Sequence, residues 1–204
     1  MKGSFYTLVY AAVLGTVCAL LLTAAANVTA PYRQANAEAE EVRNVLAVLE
    51  VPLPPDTSAR QLTEVFKNNV REEKRNGIEA YVRFLPGAKG QVQAIAFRFA
   101  GPGLWGPIKG FLALEPDMKT IRGLTFYEQE ETPSLGGEIA AKWFRNQFVG
   151  KSIVDNGGNP GFIIKSSGEA APNKVDGISG ATMTCDKVQM ILNELIEKIC
   201  KEKE

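Results

Sequence analysis

Apolar and polar positions divide the chain into one uninterrupted apolar stretch and a patterned remainder. Residues 3–32 carry no charged side chain, and the part from Phe5 to Ala26 is dense in Leu, Val and Ala. A helix of about 20 apolar residues crosses a ~30 Å hydrocarbon core. Residues 1–32 are therefore expected to be a retained transmembrane anchor. The competing reading is a signal peptide cleaved after Ala24-Ala25-Ala26. Against it stand the single Lys2 in the n-region and an apolar run longer than an ordinary signal core. Cys18 lies mid-span behind Gly15-Thr16-Val17, which is no lipobox, and reads as a small residue on the span. Lys2 precedes the stretch and the next positive charge is Arg33. This places the N-terminus in the cytoplasm and residues 33–204 outside it, on a thin margin of charges.

In the remainder, Val42, Val45, Leu46 and Leu49 recur at helical spacing over residues 37–49, and Pro52, Pro54 and Pro55 end that helix. Ser58 and Gln61 form a capping-box pair that opens a second helix through Leu62, Val65 and Phe66. Ile78, Ala80, Val82 and Phe84 alternate with Glu79, Tyr81 and Arg83, the mark of a half-buried strand. Further strands are predicted over 92–99, after a Pro86-Gly87 turn, and over 111–114 and 121–127, around a Glu115-Pro116-Asp117 turn. A helix is predicted through Ile139, Trp143, Phe144 and Phe148, then a short strand at Phe162-Ile163-Ile164. The last element has the clearest stripe: Val188, Ile191, Leu192, Leu195, Ile196 and Ile199, with Lys187, Glu194, Glu197 and Lys198 outside it. Successive strands flanked by helices predict an α+β domain with an antiparallel sheet, over residues 33–204.

Composition narrows the chemistry. Lys plus Arg number 23, as do Asp plus Glu, so no basic footprint for nucleic acid exists. There is no histidine. That removes Ser-His and Cys-His nucleophile pairs and His-ligated haem. Three cysteines are too few for a cluster held by four thiolates. Cys185 and Cys200 fall on one helix about 22 Å apart at 1.5 Å per residue, out of disulfide reach. Glu128, Glu130 and Glu131 read as solvated carboxylates, and no metal site is expected.

The chemical signal precedes the last helix. Asp176-Gly177-Ile178-Ser179-Gly180-Ala181-Thr182-Met183-Thr184 joins a turn to a helix N-terminus. First-turn N–H groups there lack intrahelical partners, and the helix dipole favours an anion such as phosphate. Gly180 and Ala181 let a backbone approach closely, with the hydroxyl of Thr182 or Thr184 beside it. The simpler reading is that Ser179, Thr182 or Thr184 merely caps the helix and nothing binds.

Asp-Gly-x-Ser-Gly-Ala-Thr resembles the flavin-attachment motif of the FMN-binding domains in the NqrC and RnfG families, components of the Nqr and Rnf complexes. Two further segments are similar to those families: Glu131-Thr132-Pro133-Ser134-Leu135-Gly136, and Gly103-Leu104-Trp105-Gly106 followed by Gly110-Phe111-Leu112. The second segment is typical of NqrC and weaker in RnfG. The resemblance implies a covalent FMN, its phosphate esterified to Thr182 by a dedicated flavin transferase. It also implies a site in which Asp176, Ser179, Gly180 and Ala181 surround the phosphate. Glu131 and Thr132 are then expected at the ring edge, with Leu135, Gly136 and Trp105 beside the ring. Ser134 departs from the family's usual Gly, and a positive φ there would strain it.

By the same resemblance the chain implies an electron-relaying component of a Na+-translocating NADH:quinone oxidoreductase in a bacterial inner membrane, with other membrane subunits as partners. No catalytic residue of its own is assigned. The alternatives are the Rnf-type component and an anchored, cofactor-free extracytoplasmic binding module.

Overall fold

The computed structural model describes residues 2–54, 57–75, 77–84, 90–166 and 168–201. Backbone contacts divide the chain into two compact units, one up to Glu40 and one from Glu41 onward. The first lies within a single helix, α1 (Lys2–Val48), whose last turns belong to the second unit. Pro31 sits inside α1, so no break in helix separates the apolar stretch from the helix predicted over 37–49. The helix is long and apolar enough to cross a membrane, and its apolar window is unburied.

In the second unit, five strands pair antiparallel in chain order: β1 (Val70–Arg75), β2 (Ile78–Phe84), β3 (Val92–Pro102), β4 (Pro107–Leu114) and β5 (Ile121–Glu128). Side chains alternate between the two faces of a strand, and here both faces are covered. On one face Ala80, Phe97, Leu112 and Leu124 are cross-strand neighbours. They share a core with α4 (Thr182–Cys200), whose predicted stripe from Val188 to Ile199 is buried. At Gly101 any Cβ would run into the Ile191 side chain, so α4 crosses β3 where the strand has none.

The opposite face carries a row of small residues, Ala96, Ala113 and Gly123, side by side on three strands. The end of α1 seats there: a Cβ on Gly123 would lie 3.3 Å from Val48 Cγ2. Val45, Leu46 and Leu49 are buried. Arg83 completes this end, its Nη1 donating to the carbonyls of Leu49 at 2.6 Å and Glu50 at 2.8 Å. Terminal helix carbonyls have no partner within the helix, and a buried guanidinium supplies one.

The other predicted elements appear with exceptions. Ser58 and Gln61 form the expected capping box of α2 (Ala59–Asn69). The β4–β5 turn closes as expected, with the Met118 N–H donating to Glu115 O and Asp117 accepting from the Lys119 and Thr120 N–H groups. The helix predicted through 139–148 is instead a 3-10 turn (Gly136–Ala140) followed by a short α3 (Lys142–Asn146). Ala141 is extended between them, with ψ 144°, and breaks the helix. Trp143 is consequently half exposed rather than on the apolar side, whereas Ile139, Phe144 and Phe148 are buried. Strand β1 was not legible in the pattern. A two-stranded parallel pair, β6 (Ile163–Ile164) and β7 (Lys174–Val175), extends the single short strand expected at 162–164. The Pro86-Gly87 turn lies outside the described residues.

Candidate functional site around the first turn of α4

Three segments meet at the N-terminus of α4. The first is the turn leading into the helix, where the Ala181 N–H donates to Ile178 O at 3.1 Å and Gly180 has φ +77°. Such a left-handed conformation is inexpensive only for glycine. Ala181 is the N-cap residue, and no side chain caps the helix. The reading in which Ser179, Thr182 or Thr184 serves as a cap is therefore not what the structure contains. Two residues along an α-helix point about 200° apart, and the two threonines have opposite surroundings. Thr182 is exposed, whereas Thr184 is buried and donates to Glu131 Oε2 at 2.6 Å.

The second segment follows β5. The carbonyl of Thr132 accepts from the N–H groups of Leu135 at 3.2 Å and Gly137 at 2.9 Å. Pro133 takes the second turn position and Ser134 the third, with φ +62°. Pro followed by a positive-φ residue is the type II pattern, where glycine is preferred. The strain expected of a serine at this position is present. A Cβ on Gly180 would lie 3.1 Å from Leu135 Cδ2, so this loop abuts the α4 turn directly.

The third segment is the β3–β4 hairpin tip, closed by the Gly103 N–H donating to Gly106 O at 2.8 Å. Trp105, at this tip, is 70% exposed, and Leu104 and Leu135 are exposed as well.

Glu131 joins all three segments. It is 4% exposed. Its Oε1 accepts from the N–H groups of Leu104 at 2.7 Å and Trp105 at 3.3 Å, and its Oε2 from Thr184. The reading of Glu131 as a solvated carboxylate is corrected: it is buried, and its oxygens take the protein's own donors nearest them. Thr132 keeps an exposed side chain and contributes its carbonyl to the turn. Gly136 is buried between Thr184 and Glu131, where a Cβ would come within 2.5 Å of Thr184 Oγ1. Asp176 is exposed, and its backbone is held on both sides by Gln147: its N–H donates to Oε1 at 3.1 Å and its carbonyl accepts from Nε2 at 3.4 Å. Gln147 escaped the sequence reading, since nothing in its spacing marks a contact 29 residues away. Cys185 is buried behind the turn, its Sγ accepting from the Ile178 N–H at 3.3 Å. Burial pushes this thiol up from its ordinary value, which suits an inert packing residue.

Residues 103–197, which contain all three segments, match the family model of the FMN-binding domain. NqrC, the C component of the Na(+)-translocating NADH-quinone reductase, supplies the similar whole proteins. The one from Yersinia pestis is 41% identical over 122 residues, 59% of this chain and 45% of that protein. The one from Pasteurella multocida is 26% identical over 223 residues, covering 89% of this chain and 85% of that one. The crystal structure of the same component from Parabacteroides distasonis has a TM-score of 0.68 at 25% identity, covering 83% of this chain and 94% of that one. The chain resembles NqrC. The matched stretches span about half the length of several curated relatives, 45% to 56%. The α+β fold with an antiparallel sheet, expected from the strand pattern, is the fold shared with the NqrC structures.

Proposed function

We propose that this protein is the flavin-carrying component of a Na+-translocating NADH:quinone oxidoreductase, with FMN joined through its phosphate to Thr182. The single observation that carries the reading is the contrast between the two threonines on one uncapped helix turn. Thr182 is exposed at the N-terminus of α4, while Thr184 is buried and already bonded to Glu131.

The residues fit the group. An uncapped helix N-terminus offers backbone donors to a phosphate, and Gly180 at φ +77° lets the chain turn close beside it. Ser179 and Thr182 are exposed on the same turn, with Ala181 between them and Asp176 shortly before. Leu135 and Trp105 are exposed apolar side chains next to that turn and at the hairpin tip, suited to a planar ring. When bound, FMN supplies electron transfer, one electron at a time; the protein binds, places and shields it.

The ester is made by a separate flavin transferase acting on the exposed hydroxyl. Residues 1–32 serve as the membrane anchor in the bacterial inner membrane, with the N-terminus cytoplasmic and residues 33–204 on the outer side. Other membrane subunits of the complex donate and accept the electrons. The test is co-expression with the transferase followed by a denaturing gel. Flavin fluorescence should stay with the wild-type band and vanish in Thr182→Val. Fluorescence absent from the wild type, or retained in the variant, overturns the reading.

A further inference from the structure

We propose that Glu131 is a positioning residue which, with Thr184, latches the hairpin tip carrying Trp105 to the helix turn carrying Thr182. The consequence for flavin rests on the reading of Thr182 as the tether, but the latch itself belongs to the protein without flavin.

Burying a carboxylate is costly unless its oxygens are hydrogen-bonded, so such a group persists where the bonds hold something in place. Both oxygens of Glu131 are engaged, and their donors come from segments 27 and 53 residues away in the chain. The backbone is shaped around the group. A Cβ on Gly103 would lie 2.5 Å from Oε1, and one on Gly136 would lie 2.8 Å from Oε2. A Cβ on Gly106 would likewise lie 2.7 Å from Oε2 of the neighbouring Glu130. The carboxylate thus fills a slot that Gly103 on the hairpin tip and Gly136 on its own loop leave open. Charge-assisted bonds are shorter and stronger than neutral ones, and the 2.6 Å Thr184 contact is of that kind.

Thr184 stands two residues after Thr182 on the same rigid helix, so fixing Thr184 fixes the base of Thr182. The amides of Leu104 and Trp105 are fixed by the other oxygen of the same group. One side chain therefore sets the separation between the proposed phosphate end of the site and its Trp105 end.

The test uses the full chain in detergent, with and without co-expressed flavin transferase. Amide hydrogen exchange at Leu104 and Trp105 reports the latch without any flavin, and flavin fluorescence anisotropy reports ring placement when FMN is attached. Thr184→Val keeps the shape and removes the donor. Losing a bond to a charged group should speed exchange at both amides about tenfold. Thr184→Ser should restore wild-type exchange. In loaded Thr184→Val the flavin should remain on Thr182 with lower anisotropy. Unchanged exchange in Thr184→Val, or exchange as fast in Thr184→Ser as in Thr184→Val, overturns the latch. If Thr184→Val does not fold, Thr184→Ser and Glu131→Gln carry the test, because each retains a hydrogen bond at both ends. Thr184→Ser must keep wild-type exchange, while Glu131→Gln, which loses the charge, must exchange faster at both amides; a tenfold rise in the first or wild-type exchange in the second overturns the proposal. A wild type that accepts no flavin defeats the tether reading alone, since the exchange result still judges the latch.

Discussion

Gly180 is the position at which the shape of the site is most exposed to a single change. Two demands meet there: a left-handed backbone at φ +77° and a side chain, Leu135, whose Cδ2 would stand 3.1 Å from an added Cβ. They predict different things. The left-handed conformation costs a non-glycine L-residue about 1–2 kcal/mol. The steric demand is smaller, because Cδ2 is the far end of a flexible side chain that is 42% exposed and can give by a few tenths of an ångström. Gly180→Ala should therefore cost about 1.5 kcal/mol, which in a unit of this size lowers the melting midpoint by about 3–6 °C. Asn is larger than Ala but tolerates the left-handed region far better. Gly180→Asn should consequently melt above Gly180→Ala. The assay is thermal unfolding of both variants and the wild type, at one protein and detergent concentration. If Asn is the more damaging of the two, space rather than backbone conformation demands the glycine, and the reading of this turn is wrong.

Three further outcomes follow from other parts of the structure. Leu135→Ala and Trp105→Ala remove exposed side chains, so each should change stability by less than about 1 kcal/mol, keep covalent FMN and raise flavin fluorescence; unfolding in both would make them core anchors. The mature protein should begin near Met1 and partition with membranes, and N-terminal sequencing that starts after Ala26 would contradict the anchor. Partial burial works to raise the Asp117 carboxyl, but donation from Thr120 Oγ1 and from the N–H groups of Thr120 and Lys119 outweighs it and holds the group below its ordinary 3.8. A depressed folded value adds stability above the unfolded value and loses it as pH falls through the folded one. Asp117→Ala should therefore melt below wild type at pH 7, with the gap closing below pH 3.8; a constant gap would refute this.

Much of the sheet was legible because β2 alternates and β3 to β5 hold short apolar runs between turn residues. β1 was not, since Val-Arg-Glu-Glu-Lys-Arg is an edge strand with little apolar content, paired only with β2. The helix through Trp143 was overdrawn because Ile139, Phe144 and Phe148 mimic a stripe, while the extended Ala141 that breaks it has no sequence signature. The turn at Thr182 was legible from local chemistry: glycine for a positive φ, small residues for close approach, hydroxyls at a helix start. The strain at Ser134 was legible only through the resemblance, which has glycine where this chain has serine at φ +62°. The task of Glu131 was hidden, because it depends on Leu104 and Thr184, and spacing along the chain says nothing of contacts across 27 and 53 residues. Gln147, which pairs with the backbone of Asp176, was hidden for the same reason.

Whether Thr182 carries the flavin is decided by peptide mapping with mass spectrometry of the full chain, purified after co-expression with a flavin transferase. The fragment holding Ser179, Thr182 and Thr184 is the one that matters. A single added FMN is expected on Thr182, with Thr184 unmodified because its hydroxyl is buried against Glu131. Flavin on Thr184 or Ser179, or none on this fragment, would contradict the assignment.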